Sequence, residues 1–142
     1  MPVVRLTKRL RFNATHRLYN PELDEQENRR LYGKCSDPGG HPHTYRLEVT
    51  VEGPTDPRTG MLMNFAEIEA IVRTEVLDRF DGKDLNTEVE AMRGRVPTAE
   101  HIAAVIWDRL EPKLAPRRLV EVTVGETESN IAVYRGQGAE RD

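Results

Sequence analysis

Two stretches of alternating polar and apolar residues, joined by a long polar connection, constrain the fold of this chain most. The first occupies residues 3–15 and leads into His16, and the second runs from Tyr45 to Glu52. Such alternation is typical of a β-strand that buries one face and exposes the other. A connection of this length in a small domain is usually functional, and it contains the only cysteine of the chain, Cys35.

Three of the four histidines lie at the ends of these two strands. His16 shares a strand face with the apolar residues before it, and His41 and His43, one residue apart, point to one side of the second strand. Three neutral imidazoles with a fourth position left open form a ligand set of catalytic zinc. The pattern therefore predicts that Zn²⁺ is bound by His16, His41 and His43, with hydrogen-bonded structural histidines as the alternative.

The cysteine lies among loop-forming residues at positions 34–40. Reactive thiols are found in such loops, whereas a small buried hydrophobe is the alternative role for a lone cysteine. We expect the sulfur of Cys35 to lie near the metal without binding it, free for chemistry. One cysteine cannot form an internal disulfide, which agrees with a reducing compartment.

Composition limits the classes of function. We expect the 142 residues to form one domain, 1–142, with a hydrophobic core. The net charge is −3, with 21 basic and 24 acidic residues mixed along the chain, so no electrostatic footprint for nucleic acid is visible. No apolar run reaches the length of a membrane span or forms a signal peptide. We therefore expect a cytoplasmic protein with neither nucleic acid nor membrane as a partner, and a solvated loop or short helix at residues 22–30.

Helix and strand signals in the second half of the chain complete the predicted order. A helix capped by Asn64 is followed by a second helix that begins near Thr98. Two further strands are predicted at residues 119–127 and 130–135. The order β-β-α-α-β-β, with strands and helices segregated, predicts an α+β fold made of an antiparallel four-stranded sheet with two helices on one face.

Short motifs between about residue 11 and residue 136 resemble those of the 6-pyruvoyltetrahydropterin synthases and their bacterial relatives, the 6-carboxytetrahydropterin synthases. The motifs occupy residues 12–18, 35–43, 81–86, 97–100, 106–108, 126–127 and 134–136. The spacing between Cys35 and His41 is similar to that of the pyruvoyl enzymes and is longer than in many carboxy enzymes. The resemblance implies a tunnelling fold, in which the sheets of several subunits close a barrel. The assembly is commonly a homohexamer of two trimers with active sites between subunits.

The resemblance also implies roles for the residues that would carry out the chemistry. His16, His41 and His43 match the zinc ligands of the family. Cys35 matches its catalytic thiol, and Asp81 matches the carboxylate of a Cys-Asp-His proton relay.

Three further residues match the site that binds the pterin. Glu126 matches the carboxylate that grips the ring, and a carboxylate can accept hydrogen bonds from two adjacent N–H groups of a pterin. Thr98 and Glu100 lie at the helix start that is near the pterin in relatives. The alternatives are an exposed strand carboxylate for Glu126 and a favourable interaction with the helix dipole for Glu100.

The chain departs from the family pattern at the relay. Gly82 occupies the position of the relay histidine. His101, the fourth histidine, follows Glu100 where relatives often have Asn, so it either replaces the missing imidazole or is an exposed helix residue. Pro42 replaces the usual glycine between the two ligand histidines and should stiffen the strand.

The function that the resemblance implies is that of a zinc-dependent lyase acting on 7,8-dihydroneopterin triphosphate. Its product would be 6-pyruvoyl- or 6-carboxytetrahydropterin, and the carboxy product would point to queuosine biosynthesis. Two alternatives follow from the missing relay histidine. One is aldolase-like cleavage of the side chain of dihydroneopterin or its phosphates, and the other is a pterin-binding homologue that has lost turnover.

Overall fold

A five-stranded sheet forms the framework of the protein. The computed structural model describes residues 1–137, and its strands are β1 (Val3–His16), β2 (His41–Pro54), β3 (Lys83–Asp84), β4 (Arg118–Gly125) and β5 (Ile131–Tyr134). Their spatial order is β3-β1-β2-β4-β5. The pairs β1–β2, β2–β4 and β4–β5 are antiparallel, whereas β3 runs parallel to β1.

The predicted α+β class is confirmed, but the purely antiparallel sheet of four strands is wrong. The additional strand, β3, has two residues, which is too short for an alternating pattern. Backbone hydrogen bonds hold its flanks beside the end of β1, from the Gly82 N–H to the Asn13 carbonyl (2.6 Å) and from the Leu85 N–H to the Thr15 carbonyl (2.8 Å). Tertiary contact rather than local sequence preference therefore creates this strand.

Two of the helices begin at the predicted positions, Asn64 and Thr98, and both positions are side-chain caps. They are α1 (Glu25–Tyr32), α2 (Phe65–Val72), α3 (Asp78–Phe80) and α4 (Ala99–Leu114), with a π turn, Arg73–Leu77, between α2 and α3. Asn64 accepts a hydrogen bond from the Ala66 N–H (2.8 Å), and the Thr98 hydroxyl accepts one from the His101 N–H (3.2 Å). The charged run 22–30 contributes to α1, which adds a helix to the predicted order. Within residues 1–137, no helix is both long and apolar enough to cross a membrane.

Alternation along the long strands divides the sheet into a buried and an open face. The residues buried on the first face are Leu10, Phe12, Ala14 and His16 of β1 and Tyr45, Leu47, Val49 and Val51 of β2. Helices α2, α3 and α4 pack on this face and bury Ile68, Phe80, Ile106 and Leu110 completely. The other face is polar and open. One chain alone forms an open sheet, so closure of a barrel by several subunits stays a prediction.

Candidate metal centre and adjoining cavity

The pairing of β1 with β2 brings the three predicted zinc ligands to one end of the sheet. His16 lies directly opposite His41, and His43 lies opposite Ala14. Since directly opposed residues, and residues two apart on a strand, project from the same face, all three imidazoles share a face. The ring centroids of His16 and His43 are 4.8 Å apart, and those of His41 and His43 are 6.4 Å apart.

Two of these histidines form a compact cluster with the thiol. One ligand atom from each of His16, Cys35 and His43 lies within 4.8 Å of the others. Cys35 belongs to a 3₁₀ turn, Gly33–Ser36, which precedes β2. The ring of His41 lies outside this group. The structure thus brings together two of the predicted ligands and the predicted catalytic thiol.

A close backbone approach fastens the loop of Cys35 to the end of β1. The Leu18 N–H donates to the Cys35 carbonyl at 2.7 Å. Gly40 brings the loop back to β2 with a φ of +72°, and a β-carbon at this position would lie 2.6 Å from the His16 carbonyl oxygen. Only glycine fits such an approach without displacement of the backbone. The loop is therefore held where the thiol faces the imidazoles.

The ring of His16 is fixed by two groups that the sequence did not assign to the site. Its Nδ1 lies 2.8 Å from the Pro97 carbonyl oxygen and 3.1 Å from the Tyr45 hydroxyl oxygen. Because a carbonyl only accepts, Nδ1 donates its hydrogen to Pro97, and Nε2 is the nitrogen available to a metal ion. Tyr45 is visible in the sequence as a core residue of β2, and Pro97 lies in the 97–100 motif. Neither position carries a sequence signal for contact with His16.

The second nitrogen atoms of His16 and His43 are left without partners. Both Nε2 atoms are buried and form no hydrogen bond with residues 1–137. A buried polar atom without a partner costs about 1–3 kcal/mol, and two such atoms lie in one cluster. Imidazole nitrogens beside a thiol are donors that suit zinc. The residues present therefore fit a bound metal ion.

A cavity adjoins the cluster and contains the three predicted substrate-binding residues. Thr98 and Glu100 line it from the start of α4, Glu126 lines it from the end of β4, and its volume is about 540 Å³. Glu126 also faces the cluster, because its Oε1 lies 3.7 Å from Nε2 of His16. Small-molecule sites commonly have this size. Glu126 thus connects the cavity to the candidate metal centre.

Burial and neighbouring charges set the protonation of the cluster. Burial raises the pKa of the Cys35 thiol, and the carboxylates of Glu126 and Asp37 raise it further. Burial lowers the pKa of His43, and the nearby His16 and His41 lower it further. The Glu126 carboxylate acts in the opposite direction and raises it, but burial has the largest effect. At neutral pH the thiol is therefore protonated, and His43 is a neutral imidazole of the kind that binds metals.

The predicted relay residues lie outside the cluster of their own chain. Asp81 is exposed and accepts a hydrogen bond from the Asn13 backbone N–H at 2.8 Å. Gly82 follows with a φ of +76° and with open space around the position of a β-carbon. His101 is exposed on α4, and its Nδ1–H donates to the Val96 carbonyl at 2.7 Å.

Comparison with known proteins gives a consistent result over nearly the whole chain. The family model of 6-pyruvoyl tetrahydropterin synthase matches residues 5–137. The 6-pyruvoyl tetrahydrobiopterin synthase of Drosophila melanogaster is 43% identical over 136 residues, which cover 95% of this chain and 81% of that protein. The Homo sapiens protein of the same name is 41% identical over 132 residues, covering 93% of this chain and 91% of that protein. The solved structure of the Caenorhabditis elegans 6-pyruvoyl tetrahydropterin synthase has a TM-score of 0.89 at 34% identity, covering 96% of this chain and 97% of that chain.

Proposed function

Because the chain belongs to the 6-pyruvoyl tetrahydropterin synthase family, we propose that it is a zinc-dependent lyase that converts 7,8-dihydroneopterin triphosphate to 6-pyruvoyl tetrahydropterin with loss of triphosphate. The observation that carries the proposal is the pair of buried, unpartnered imidazole nitrogens of His16 and His43 beside the Cys35 thiol. The names of the relatives favour the pyruvoyl product over the carboxy product.

His16 and His43 would hold the zinc ion together with His41. His41 stands directly opposite His16 in the strand pairing, and its side chain would turn towards the other two when the metal binds. The ion, when bound, would act as a Lewis acid on the hydroxyl oxygens of the substrate side chain. Pro97 and Tyr45 hold Nδ1 of the His16 ring, which would leave Nε2 to bind the metal.

Cys35 would remove the proton from the carbon next to the reacting hydroxyl. Burial and two carboxylates hold its pKa above the ordinary value, so the thiolate requires a compensating cation close by. The cluster supplies the position for that cation, since the histidine nitrogens lie within 4.8 Å of the sulfur. The base is therefore expected to depend on the metal.

Glu126 would bind the pterin ring in the adjoining cavity. Its carboxylate can accept two N–H groups from the ring edge, and Thr98 and Glu100 form part of the wall. With Glu126 also close to His16, one residue would set the distance between the ring and the metal.

Assembly into a hexamer of two trimers would complete the site. Asp81 is exposed in the single chain, so in such an assembly it would serve the proton relay of a neighbouring subunit. The missing imidazole at Gly82 favours a second candidate function. In that case the product would come from aldolase-like cleavage of the side chain, or the protein would bind pterin without turnover.

Incubation with 7,8-dihydroneopterin triphosphate under anaerobic conditions, followed by mass analysis of the pterin, tests the proposal. Formation of 6-pyruvoyl tetrahydropterin with release of triphosphate is expected, together with zinc in the purified protein. A pterin that has lost its side chain would establish the aldolase-like function instead. Tight binding of substrate without a product would establish the binding homologue.

A further inference from the structure

The open face of the sheet carries a ladder of complementary side chains across β1 and β2. The directly opposed pairs are Arg5 with Glu52 (2.8 Å), Thr7 with Thr50 (2.8 Å), Arg9 with Glu48 (3.0 Å), Arg11 with Arg46, and Asn13 with Thr44 (2.7 Å). Each pair forms an ion pair or a hydrogen bond, except the fourth. Arg11 and Arg46 place two positive charges directly opposite each other, and like charges in such a pair destabilise the pairing of the strands.

Within residues 1–137 this like-charged pair is only half neutralised. Arg46 forms an ion pair with Glu128 at 2.9 Å. Arg11 forms no ion pair and no side-chain hydrogen bond with residues 1–137. At the neighbouring rung Glu48 neutralises Arg9 directly. The fourth rung therefore has a guanidinium group without an acid.

A recess lies over the same rung. Next to Arg46, β4 contributes Gly125, which has no side chain to fill the space. Next to Arg11 the sheet ends, because β3 pairs with β1 only at Ala14 and Thr15. The resulting cavity has a volume of about 280 Å³, and Arg9, Arg11 and Arg46 line it with a single acid, Glu48. Space and positive charge thus coincide.

We propose that Arg11 and Arg46 form a binding site for a phosphate-type oxyanion. A guanidinium group donates two parallel N–H hydrogen bonds, an arrangement called a fork. One fork already uses both oxygens of a carboxylate, so a carboxylate cannot bind two guanidinium groups in this way. A tetrahedral oxyanion has oxygens for two forks, one from each strand. The site lies on the open face, whereas the His16 cluster lies on the buried face. It is therefore independent of the proposed lyase function.

Thermal unfolding of the intact protein in inorganic phosphate tests the site. Phosphate is titrated at constant ionic strength against chloride, and acetate serves as the carboxylate comparator. A rise in Tm of about 3–6 °C is expected at a phosphate concentration ten times the Kd, with little response to acetate. No response to phosphate, or an equal response to acetate, overturns the proposal.

The variant Arg11→Glu separates this site from general effects of charge. It completes the rung opposite Arg46, so we expect it to raise Tm by up to about 4 °C without phosphate and to abolish the phosphate response. The matched control is Arg58→Glu, which makes the same change of charge in an exposed turn where Arg58 pairs with Asp56. This control should keep the wild-type phosphate response.

Two results with these variants contradict the site. A phosphate response of wild-type size in Arg11→Glu shows that the anion binds elsewhere. A smaller oligomer in Arg11→Glu but not in Arg58→Glu shows that another copy of the chain, not an oxyanion, occupies the recess. Mass measurement by light scattering distinguishes this second result from the first.

Discussion

Two histidines beside the start of α4 make the same hydrogen bond in opposite surroundings. The His16 Nδ1–H donates to the Pro97 carbonyl at 2.8 Å, and the His101 Nδ1–H donates to the Val96 carbonyl at 2.7 Å. His16 is 0% exposed and its Nε2 has no hydrogen-bond partner among residues 1–137, whereas His101 lies on the surface. The bond at Nδ1 therefore does not identify a ligand. Burial of the second ring nitrogen is the better sign of a ligand, because a missing hydrogen-bond partner costs free energy at a buried atom but not at one that water can reach.

The contrast extends to the neighbours of each histidine. The buried centre consists of His16, Cys35 and His43, whose ligand atoms lie within 4.8 Å of one another, together with Tyr45, whose hydroxyl lies beside Nδ1 of His16. Asp81, Gly82 and His101, which we call the surface region, are exposed, and each is hydrogen-bonded to a backbone group of its own chain. If this contrast is functional, substitutions in the buried centre should lower either metal binding or turnover, and removal of the His101 imidazole should lower neither.

Replacement of the thiol should have the largest effect. Cys35→Ala is expected to lower synthase turnover by ~10²–10⁴-fold, the usual contribution of an acid–base group, with zinc content unchanged. Steady-state rates and metal analysis measure both quantities. The surface control, His101→Ala, should keep its rate within a few-fold. A near-normal rate in Cys35→Ala would move the base elsewhere, with Asp81 the first residue to examine.

Replacement of the buried histidine should come next. His16→Ala is expected to weaken zinc binding by more than the ~10–100-fold that loss of an outer partner costs, because it removes a ligand. Competition with a chromophoric chelator gives the affinity, and circular dichroism checks the fold. His101→Ala should bind zinc like the wild type. Equal affinity in the two variants would refute the assignment of His16.

Tyr45→Phe tests whether the partners of His16 matter. The variant keeps the ring that stacks on Phe12 at 5.1 Å but loses the hydroxyl beside Nδ1, so zinc affinity should fall by about tenfold. Tyr134→Phe removes the same group from a ring that packs on Trp107 and should leave the affinity unchanged. If both variants bind zinc equally well, the Pro97 carbonyl alone orients His16.

Restoring an imidazole at Gly82 tests the surface region directly. The φ of +76° makes any β-carbon cost about 1–2 kcal/mol, so Gly82→Ala and Gly82→His should lose similar stability in urea. Only Gly82→His should raise formation of the 6-pyruvoyl product. If it adds nothing and His101→Asn is silent, the relay histidine is dispensable in this protein.

The smallest effect concerns pH and the metal-free protein. Since burial lowers the pKa of His43, the unfolded chain takes up a proton below its ordinary pKa of about 6.5 while the folded chain does not. The contribution of neutral His43 to the free energy of unfolding is therefore complete above pH ~6.5, and it decreases as the pH falls through the pKa of His43 in the folded protein. Urea unfolding between pH ~5 and ~8 should show this slope. His43→Asn should flatten the slope, whereas His101→Asn should keep it.

Features that depend on neighbouring residues could be predicted from the sequence, whereas features that depend on residues far apart in the chain could not. The long strands and the starts of α2 and α4 follow from alternation and from the caps Asn64 and Thr98, all of which are local patterns. β3 was missed because its two residues become a strand only through contact with β1.

The parts of the candidate site differ in the same way. The sequence placed His16, Cys35 and His43 together because they end or flank two predicted strands, and the cluster of their ligand atoms agrees with this. The contact of His16 with Pro97 joins residues 81 positions apart, and its contact with Tyr45 joins residues 29 positions apart. No local pattern encodes either contact, so neither could be predicted.

The close approach of Gly40 limits how the thiol loop can be redesigned. With a β-carbon position only 2.6 Å from the His16 carbonyl oxygen, Gly40 is an anchor whose substitution would push the loop off the end of β1 that carries His16. Changes of loop length are therefore best tolerated between Asp37 and Gly39, where Gly39 has open space around its β-carbon position. An engineer who wishes to lengthen or shorten the reach of Cys35 should vary that segment and leave Gly40 in place.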